Sequence, residues 1–307
     1  MSPLIIKTRQ EPSELVILKT LKSRFTLSKE DQTKYYNLNK GLEGEQQFDA
    51  LLENLQCECL ILNDLLLTIN NQRFQIDSLL IFNNKIHLYE IKNYVDDLYF
   101  ESNQLFKKDG FEISNPLIQL ERATSLLRQL LLKNNFQIPI QSFVIFINPE
   151  FSLLQAPLDK PFILSSQLNR FLKDINKEGV ALTQQHKKIA EKLIALNMKD
   201  YPIQQYPLYS YENIQKGINC LHCISFSFKT TTNRCLQVVC LNCGRKEQLE
   251  SALARTIKDF QLLFPQDKIT TNKMYEWCAK VISKKTLRRF LKVHFSQTGS
   301  NRWTFYS

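Results

Sequence analysis

Between Arg73 and Lys92 the chain reads Arg73-Phe-Gln-Ile-Asp77-Ser-Leu-Leu-Ile-Phe82, then Asn83-Asn84, then Lys85-Ile-His-Leu-Tyr-Glu90-Ile-Lys92. Two apolar, strand-forming runs flank a two-residue asparagine pair. Asparagine tolerates a positive φ, so a tight β-hairpin is the natural reading. With residues 83 and 84 as its loop, Asp77 faces Glu90 and Gln75 faces Lys92. Side chains alternate along a strand, so this register places all four on one face.

Directly opposed Cβ atoms stand roughly 5 Å apart, and like charges facing each other are destabilising. Asp77 and Glu90 could be surface charges on an edge strand. Their Leu- and Ile-rich neighbours argue against that, and an unpaired buried charge costs several kcal/mol. A divalent cation between the two carboxylates removes the conflict, and an oxygen-rich set suits Mg²⁺ or Mn²⁺. Lys92, one strand repeat beyond Glu90, then sits beside the ion, placed to orient or activate a water molecule. His87 faces away from the carboxylates in this register. A Walker A loop, a G-x-G-x-x-G turn and a His-rich nuclease motif are all missing from the chain.

Asp followed by Glu-x-Lys on the next strand resembles the signature of the PD-(D/E)xK nuclease superfamily. The words Gly41-Leu-Glu-Gly44-Glu45, Gln75-Ile-Asp77, Glu90-Ile-Lys92-Asn93 and Asn115-Pro-Leu-Ile-Gln119 resemble its nuclease-related (NERD) branch over about residues 38–150. Tyr94-Val-Asp-Asp stands where that branch often carries a glycine. The resemblance implies a restriction-endonuclease-like mixed sheet flanked by helices, with Glu45 as a further acidic residue from the first helix. Glu45, Phe48, Leu52 and Leu55 recur at helical spacing, which agrees; a capping or helix-dipole role is the plainer alternative. Asn115-Pro116 makes an N-cap and first-turn pair for a helix whose apolar face is Leu120, Leu127 and Leu131. Gln119 and Arg122 lie on another line of that helix, either as a solvated face or as polar groups offered to a phosphate.

Cys220-Leu-His-Cys223 and Cys240-Leu-Asn-Cys243 give two C-x₂-C pairs separated by sixteen residues. That is zinc-ribbon spacing, with four thiolates for a closed, structural Zn²⁺ site. Cys57, Cys59, Cys235 and Cys278 have no partner spacing and read as ordinary buried thiols.

The net charge is +10 and uneven: residues 251–307 hold eleven Lys and Arg against three Asp and Glu, a surplus of eight. A folded basic block is the footprint of a polyanion partner. Leu253, Ile257, Phe260 and Phe264 mark one helix, closed by Pro265, and 271–278 a second. A third is capped by Ser283, with Leu287, Phe290 and Leu291 inward and Lys284, Lys285, Arg288, Arg289 and Lys292 outward. A turn and short strand carrying Arg302 follow. The order resembles a winged helix-turn-helix, whose basic helix enters the major groove; a protein-docking helix is the alternative.

No apolar run approaches the ~20 residues that span a bilayer, and the first thirty residues carry no secretory pattern. A cytoplasmic protein with no membrane association is expected. The map expected from sequence is an N-terminal segment (1–37), an α/β nuclease-related domain (38–200), a linker (201–216), a zinc ribbon (217–248) and a basic helical domain (249–307). The linker's tyrosines make an aromatic docking segment its alternative reading. The expected function is metal-dependent hydrolysis of phosphodiester bonds, most naturally in DNA. The rival is a DNA-binding regulator whose nuclease-like domain is silent, and RNA is not separated from DNA by any motif.

Overall fold

The computed structural model describes residues 2–178, 180–198, 206–231, 236–300 and 303–306. The chain divides into two compact units, Met1–Pro12 with Tyr36–Gln204, and Ser13–Tyr35 with Gln205–Ser307. It opens on β1 (Leu4–Lys7), α1 (Ser13–Arg24) and α2 (Lys29–Glu53), followed by β2 (Leu60–Ile69), β3 (Gln72–Ile81) and β4 (Ile86–Lys92). Next come β5 (Asp97–Glu101), β6 (Gln104–Lys107), β7 (Glu112–Ile113) and α3 (Pro116–Lys133). The first unit closes with β8 (Ile140–Phe146), β9 (Ser152–Leu154), β10 (Phe162–Leu164), α4 (Ser165–Ile175) and α5 (Gln184–Leu196).

The first unit is a mixed six-stranded sheet, ordered β1-β2-β3-β4-β8-β10, with helices on both faces. Alternation along the strands decides which side chain meets which layer. Leu79, Ile81, Ile86, Leu88 and Val144 share a core with Leu120 and Leu127 of α3 and Leu193 of α5. Leu80, Phe82, Tyr89, Ile91 and Ile145 share another with Phe48 and Leu52 of α2 and Leu168 of α4. Burying both faces explains why β3 and β4 are apolar throughout rather than alternating. A smaller sheet, β7-β6-β5-β9, accompanies it.

Asn115 caps α3 as expected, its side chain accepting from the Leu117 N–H at 2.9 Å, with Pro116 in the first turn. The β3–β4 hairpin is also where the sequence places it: the Phe82 N–H donates to the Lys85 carbonyl at 2.9 Å. Neither Asn83 nor Asn84 has a positive φ. The left-handed pair is instead Asn70 (φ 48°) and Asn71 (φ 59°), closing β2 onto β3, as a two-residue hairpin turn requires.

The second unit contains α1, a three-stranded sheet of β11 (Phe228–Thr230), β12 (Gln237–Cys240) and β13 (Lys246–Gln248), and helices α6 (Leu249–Leu263), α7 (Thr271–Trp277) and α8 (Lys284–His294). Strands β14 (Gln297–Thr298) and β15 (Phe305–Tyr306) pair antiparallel, and Ile269 bridges to Tyr306. One core joins Ile17 and Leu21 of α1 to Leu253, Phe260, Met274, Trp277, Leu287 and Leu291. Arg24 fastens this N-terminal helix: its buried guanidinium pairs with Asp259 at 2.8 Å and donates to the Gly217 carbonyl at 2.9 Å. Of the stretch read as a linker, 201–205 lie outside the described residues. Tyr209 donates to the Leu263 carbonyl at 2.8 Å, and Tyr211 stacks on Trp277. Among the described residues no helix is long and apolar enough to cross a membrane.

Candidate active site and cysteine centre

Strand alternation slips at one row of the sheet. Phe74 and Ile76 pack in the same core as Leu79 and Ile81, so between 76 and 79 the inward side chains are three apart instead of two. Leu62 and Leu65 of β2 show the same slip. Pairing holds on either side, with Asn63 facing Ser78 and Leu65 facing Ile76, so Asp64 and Asp77 face each other at the interruption. Asp64 takes a left-handed φ of 55° there.

The same row interrupts β3 against β4. Paired positions run from Ile81–Ile86 to Ser78–Tyr89, the register expected from sequence. At the next position, Asp77 against Glu90, a side chain replaces the backbone: Asp77 Oδ2 accepts the Ile91 N–H at 2.8 Å. Gln75 lies beyond the slip, is exposed, and donates to Asp64 Oδ1 at 3.3 Å. It does not share a face with Lys92, contrary to the simple alternation; the phase change in β3 is the reason.

Asp77 and Glu90 are both buried. Lys92 Nζ pairs with Glu90 Oε1 at 2.7 Å and donates to Gln119 Oε1 at 2.8 Å. Gln119 reaches it from α3, whereas Arg122 turns to the Arg73 carbonyl at 2.8 Å. From α2, Glu45 is brought to the row by Arg9, whose Nη1 donates to Glu45 Oε2 at 2.8 Å and whose Nη2 donates to the Asp77 carbonyl at 2.7 Å. Arg9 also binds Asp49, through Nε at 2.9 Å and Nη2 at 3.0 Å. Lys7 Nζ lies 3.6 Å from Asp64 Oδ2.

Sequence reading missed Arg9, Asp49 and Asp64. Asp49 sits four residues beyond Glu45, one helical turn along the same stripe, and that spacing could have flagged it. Arg9 carried no local signal at all.

The electrostatics follow from burial. Glu90 is pushed up to about 7 by burial and then by the charge of Asp77, with Lys92 opposing. Glu45 is pushed up to about 8 by burial and by Asp77, with Arg9 opposing. Asp77 is raised by burial, against the Ile91 amide hydrogen bond and the cations Lys92 and Arg9. Burial pulls Lys92 down, but Glu90, Tyr94 and Asp77 outweigh it, so it stays a cation. Five carboxyl groups (Glu45, Asp49, Asp64, Asp77, Glu90) thus adjoin three cations (Lys7, Arg9, Lys92), so the row is short of positive charge whenever Glu45 and Glu90 ionise. Asp77 and Glu90 are its buried pair, and oxygen donors of this kind suit a hard divalent cation.

The approach of α2 to this row depends on Gly44. A Cβ there would stand 2.5 Å from Asn93 Cβ and 3.0 Å from Ile147 Cγ2. Asn93 cannot yield freely, since its Nδ2 donates to the Lys40 carbonyl at 2.8 Å. Gly44→Ala should therefore destabilise the protein by about 1–3 kcal/mol through overpacking, read as a lower urea midpoint for the first unit. An unchanged midpoint would mean that α2 does not need this close approach.

His87 and His186 serve structure. His87 is buried between Tyr89 and Gln141, 2.9 Å from each, and burial lowers its pKa to about 4. His186 accepts from the Thr183 N–H at the start of α5 and meets the Asn83 carbonyl at 2.7 Å.

In the second unit the four expected thiols converge. The ligand atoms of Cys220, Cys223, Cys240 and Cys243 all lie within 4.8 Å of one another, with Cys220–Cys243 at 3.6 Å and Cys223–Cys240 at 3.5 Å. Sulfurs about 2.3 Å from a tetrahedral zinc would stand about 3.8 Å apart. Each pair forms the same turn: the Ile224 N–H returns to the Cys220 carbonyl and the Gly244 N–H to the Cys240 carbonyl, at 3.0 and 2.9 Å. Both turns need a left-handed residue, Ile224 (φ 61°) and Gly244 (φ 72°). The cluster is compatible with a small zinc ribbon. Cys57, Cys59 and Cys278 are buried; Cys235 lies outside the described residues.

Ser283 caps α8, accepting the Thr286 N–H at 3.2 Å. Leu287, Phe290 and Leu291 are buried, and Lys284, Lys285, Arg288, Arg289 and Lys292 are exposed, as their spacing implies. Arg302 lies outside the described residues.

No curated protein and no solved structure is significantly similar to the chain. Residues 40–147 match the family model of the nuclease-related domain, NERD. The match supports a nuclease-like function, and Glu45, Asp77, Glu90, Lys92 and Gln119 all fall within it.

Proposed function

We propose that the protein is a divalent-metal-dependent nuclease acting on DNA. The observation that carries this reading is the buried acidic row with Lys92 beside it, inside the segment that matches the nuclease-related domain. Asp77 and Glu90 would hold Mg²⁺ or Mn²⁺, with Glu45 completing the acidic wall. When bound, such an ion polarises the phosphate, acidifies a water molecule and neutralises charge on the leaving oxygen. Lys92, held between Glu90 and Gln119, is placed to orient the attacking water and to offset charge on the phosphoryl oxygens. Gln119 fixes the Lys92 ammonium by accepting one of its hydrogens, and Asp77 is fixed by the Ile91 amide.

The second unit would hold nucleic acid. Its four cysteines would carry one structural Zn²⁺. The order α6, bridging residue Ile269, α7, α8 and the β14–β15 pair supports a winged-helix reading, with α8 as the helix that enters the groove. Five exposed cations on α8 supply the phosphate contacts. Replacing Arg288 and Arg289 by alanine should weaken DNA binding and flatten the log–log salt slope by about one to two units, at about 0.9 per phosphate. An unchanged slope would assign α8 to protein docking.

Substrate class is tested by incubating the full chain with duplex DNA, single-stranded DNA and RNA of one sequence in Mg²⁺. Cleavage of DNA in preference to RNA is expected. Cleavage of RNA alone would replace the DNA assignment, and specific DNA binding without cleavage of any substrate would favour a silent nuclease-like domain.

A further inference from the structure

The first twelve residues contribute more than an edge strand. β1 pairs in parallel with β2, Leu4 against Leu60 and Ile5 against Ile61, and the register shifts before Lys7 meets Leu62. Beyond that shift the segment delivers two cations to the acidic row, Lys7 to Asp64 and Arg9 to Glu45 and Asp49. The Arg9 side chain is 4% exposed. Its hydrogens go to Asp49, to Glu45, to the Asp77 carbonyl and, at 3.1 Å, to Ser78 Oγ. With its planar fork engaged inside the protein, Arg9 has little left to offer a substrate phosphate. It touches α2 and β3 together, beside a weaker direct link in which Ser78 Oγ of β3 donates to Asp49 Oδ1 of α2 at 3.4 Å.

We propose that Arg9 is a positioning residue of the acidic site: its guanidinium holds Glu45 and the Asp77 end of β3 in their working geometry and offsets part of the site's negative charge. The proposal rests on the nuclease reading above. It assigns geometry to Arg9 and metal binding to the carboxylates, so the two should separate on mutation. Removing the cation makes the site more negative, which favours a metal ion, while Glu45 and β3 lose the fork that aligns them.

The test uses the full chain and its Arg9→Ala and Arg9→Lys variants. Folding is checked by near-ultraviolet circular dichroism, Mn²⁺ affinity by electron paramagnetic resonance, and kcat and KM on duplex DNA. For Arg9→Ala we expect kcat to fall about 100-fold, as for other lost alignments at reacting centres, with KM nearly unchanged and Mn²⁺ affinity kept or increased. Guanidinium at a few millimolar, far below denaturing concentrations, should restore kcat at least tenfold. Lysine should not substitute, because a point charge cannot reproduce the planar fork that serves Asp49, Glu45, the Asp77 carbonyl and Ser78. Wild-type kcat in Arg9→Lys would overturn the proposal. So would joint loss of kcat and Mn²⁺ affinity in a folded Arg9→Ala, which marks a plain structural brace. Should Arg9→Ala fail to fold, Asp49→Asn weakens the same fork from its other end and must lower kcat by a larger factor than it lowers Mn²⁺ affinity. A wild-type protein that cuts nothing overturns the nuclease reading instead. In that case loss of Mn²⁺ affinity in a folded Arg9→Ala still overturns the role given to Arg9.

Discussion

Glu90→Gln should abolish the proposed cleavage and, in the metal-free protein, raise the melting temperature at alkaline pH. Both effects come from one cause. Glu90 is buried beside Asp77, and its pKa is pushed up from 4.5 to about 7 despite the Lys92 ion pair at 2.7 Å. A carboxyl whose folded pKa exceeds its unfolded value binds more protons in the folded state. Stability is therefore full below about pH 4.5 and is lost as pH rises through about 7. Glutamine keeps the shape and carries no charge, so it removes that loss. The variant should match the wild type at pH 4 and exceed it at pH 8 by about 3 kcal/mol, or roughly 6–12 °C for a unit of this size. Activity moves the other way. Without Glu90 the metal loses a charged ligand, and cleavage should fall by about 10³-fold or more. Asp77→Asn should lose activity alike. A Glu90→Gln protein that cuts normally, or that is less stable than wild type at pH 8 in chelator, would contradict the link between burial, charge and function.

The second large effect concerns zinc. The 217–248 segment has strands of three or four residues, too short to be stable alone. Among the described residues, its buried apolar contribution to the surrounding core is Ile218 and Val238. Such a segment would gain most from a bound zinc, which supplies about 10–16 kcal/mol of apparent binding energy in small zinc modules. One zinc per chain is expected by elemental analysis, and less than a tenth of that in Cys243→Ser after dialysis against chelator. Hydrogen exchange should then lose protection at the amides of Cys220, Ile224, Cys240 and Gly244, which the two turns now bond. Helices α6 and α8 should keep theirs, because Leu253, Phe260, Trp277 and Leu291 pack without the metal. A zinc-free wild-type protein with these amides protected would remove the ribbon.

How far the sequence was legible depends on the range of each interaction. The β3–β4 register was readable because two apolar runs flank a two-residue gap, and side-chain period then dictates who faces whom. The cysteine spacing and the cap-and-stripe pattern of α8 are local in the same way. The slip at Asp64 and Asp77 was not readable. It depends on a left-handed aspartate in β2, a conformation that only the neighbouring strand and its charges make worthwhile. The asparagine signal points to Asn83-Asn84 for the positive-φ turn, yet the chain has it at Asn70-Asn71, because both pairs carry the same local signal. Strand β13 is Lys-Glu-Gln and offers no apolar pattern to read. Arg9 is the extreme case, since its partners lie 36, 40 and 68 residues along the chain. Its neighbours in sequence, Thr8 and Gln10, say nothing about a buried acidic site.

The central claim is that the buried carboxylates of one sheet row gather a divalent ion for phosphodiester hydrolysis. It is tested most directly by stripping the full chain with chelator, mixing it with labelled duplex DNA, and following strand scission as Mg²⁺ or Mn²⁺ is titrated in. Scission should be absent without metal, appear with added metal, and be missing throughout in Asp77→Asn. Scission in the presence of excess chelator, or equal scission by wild type and Asp77→Asn, would contradict it.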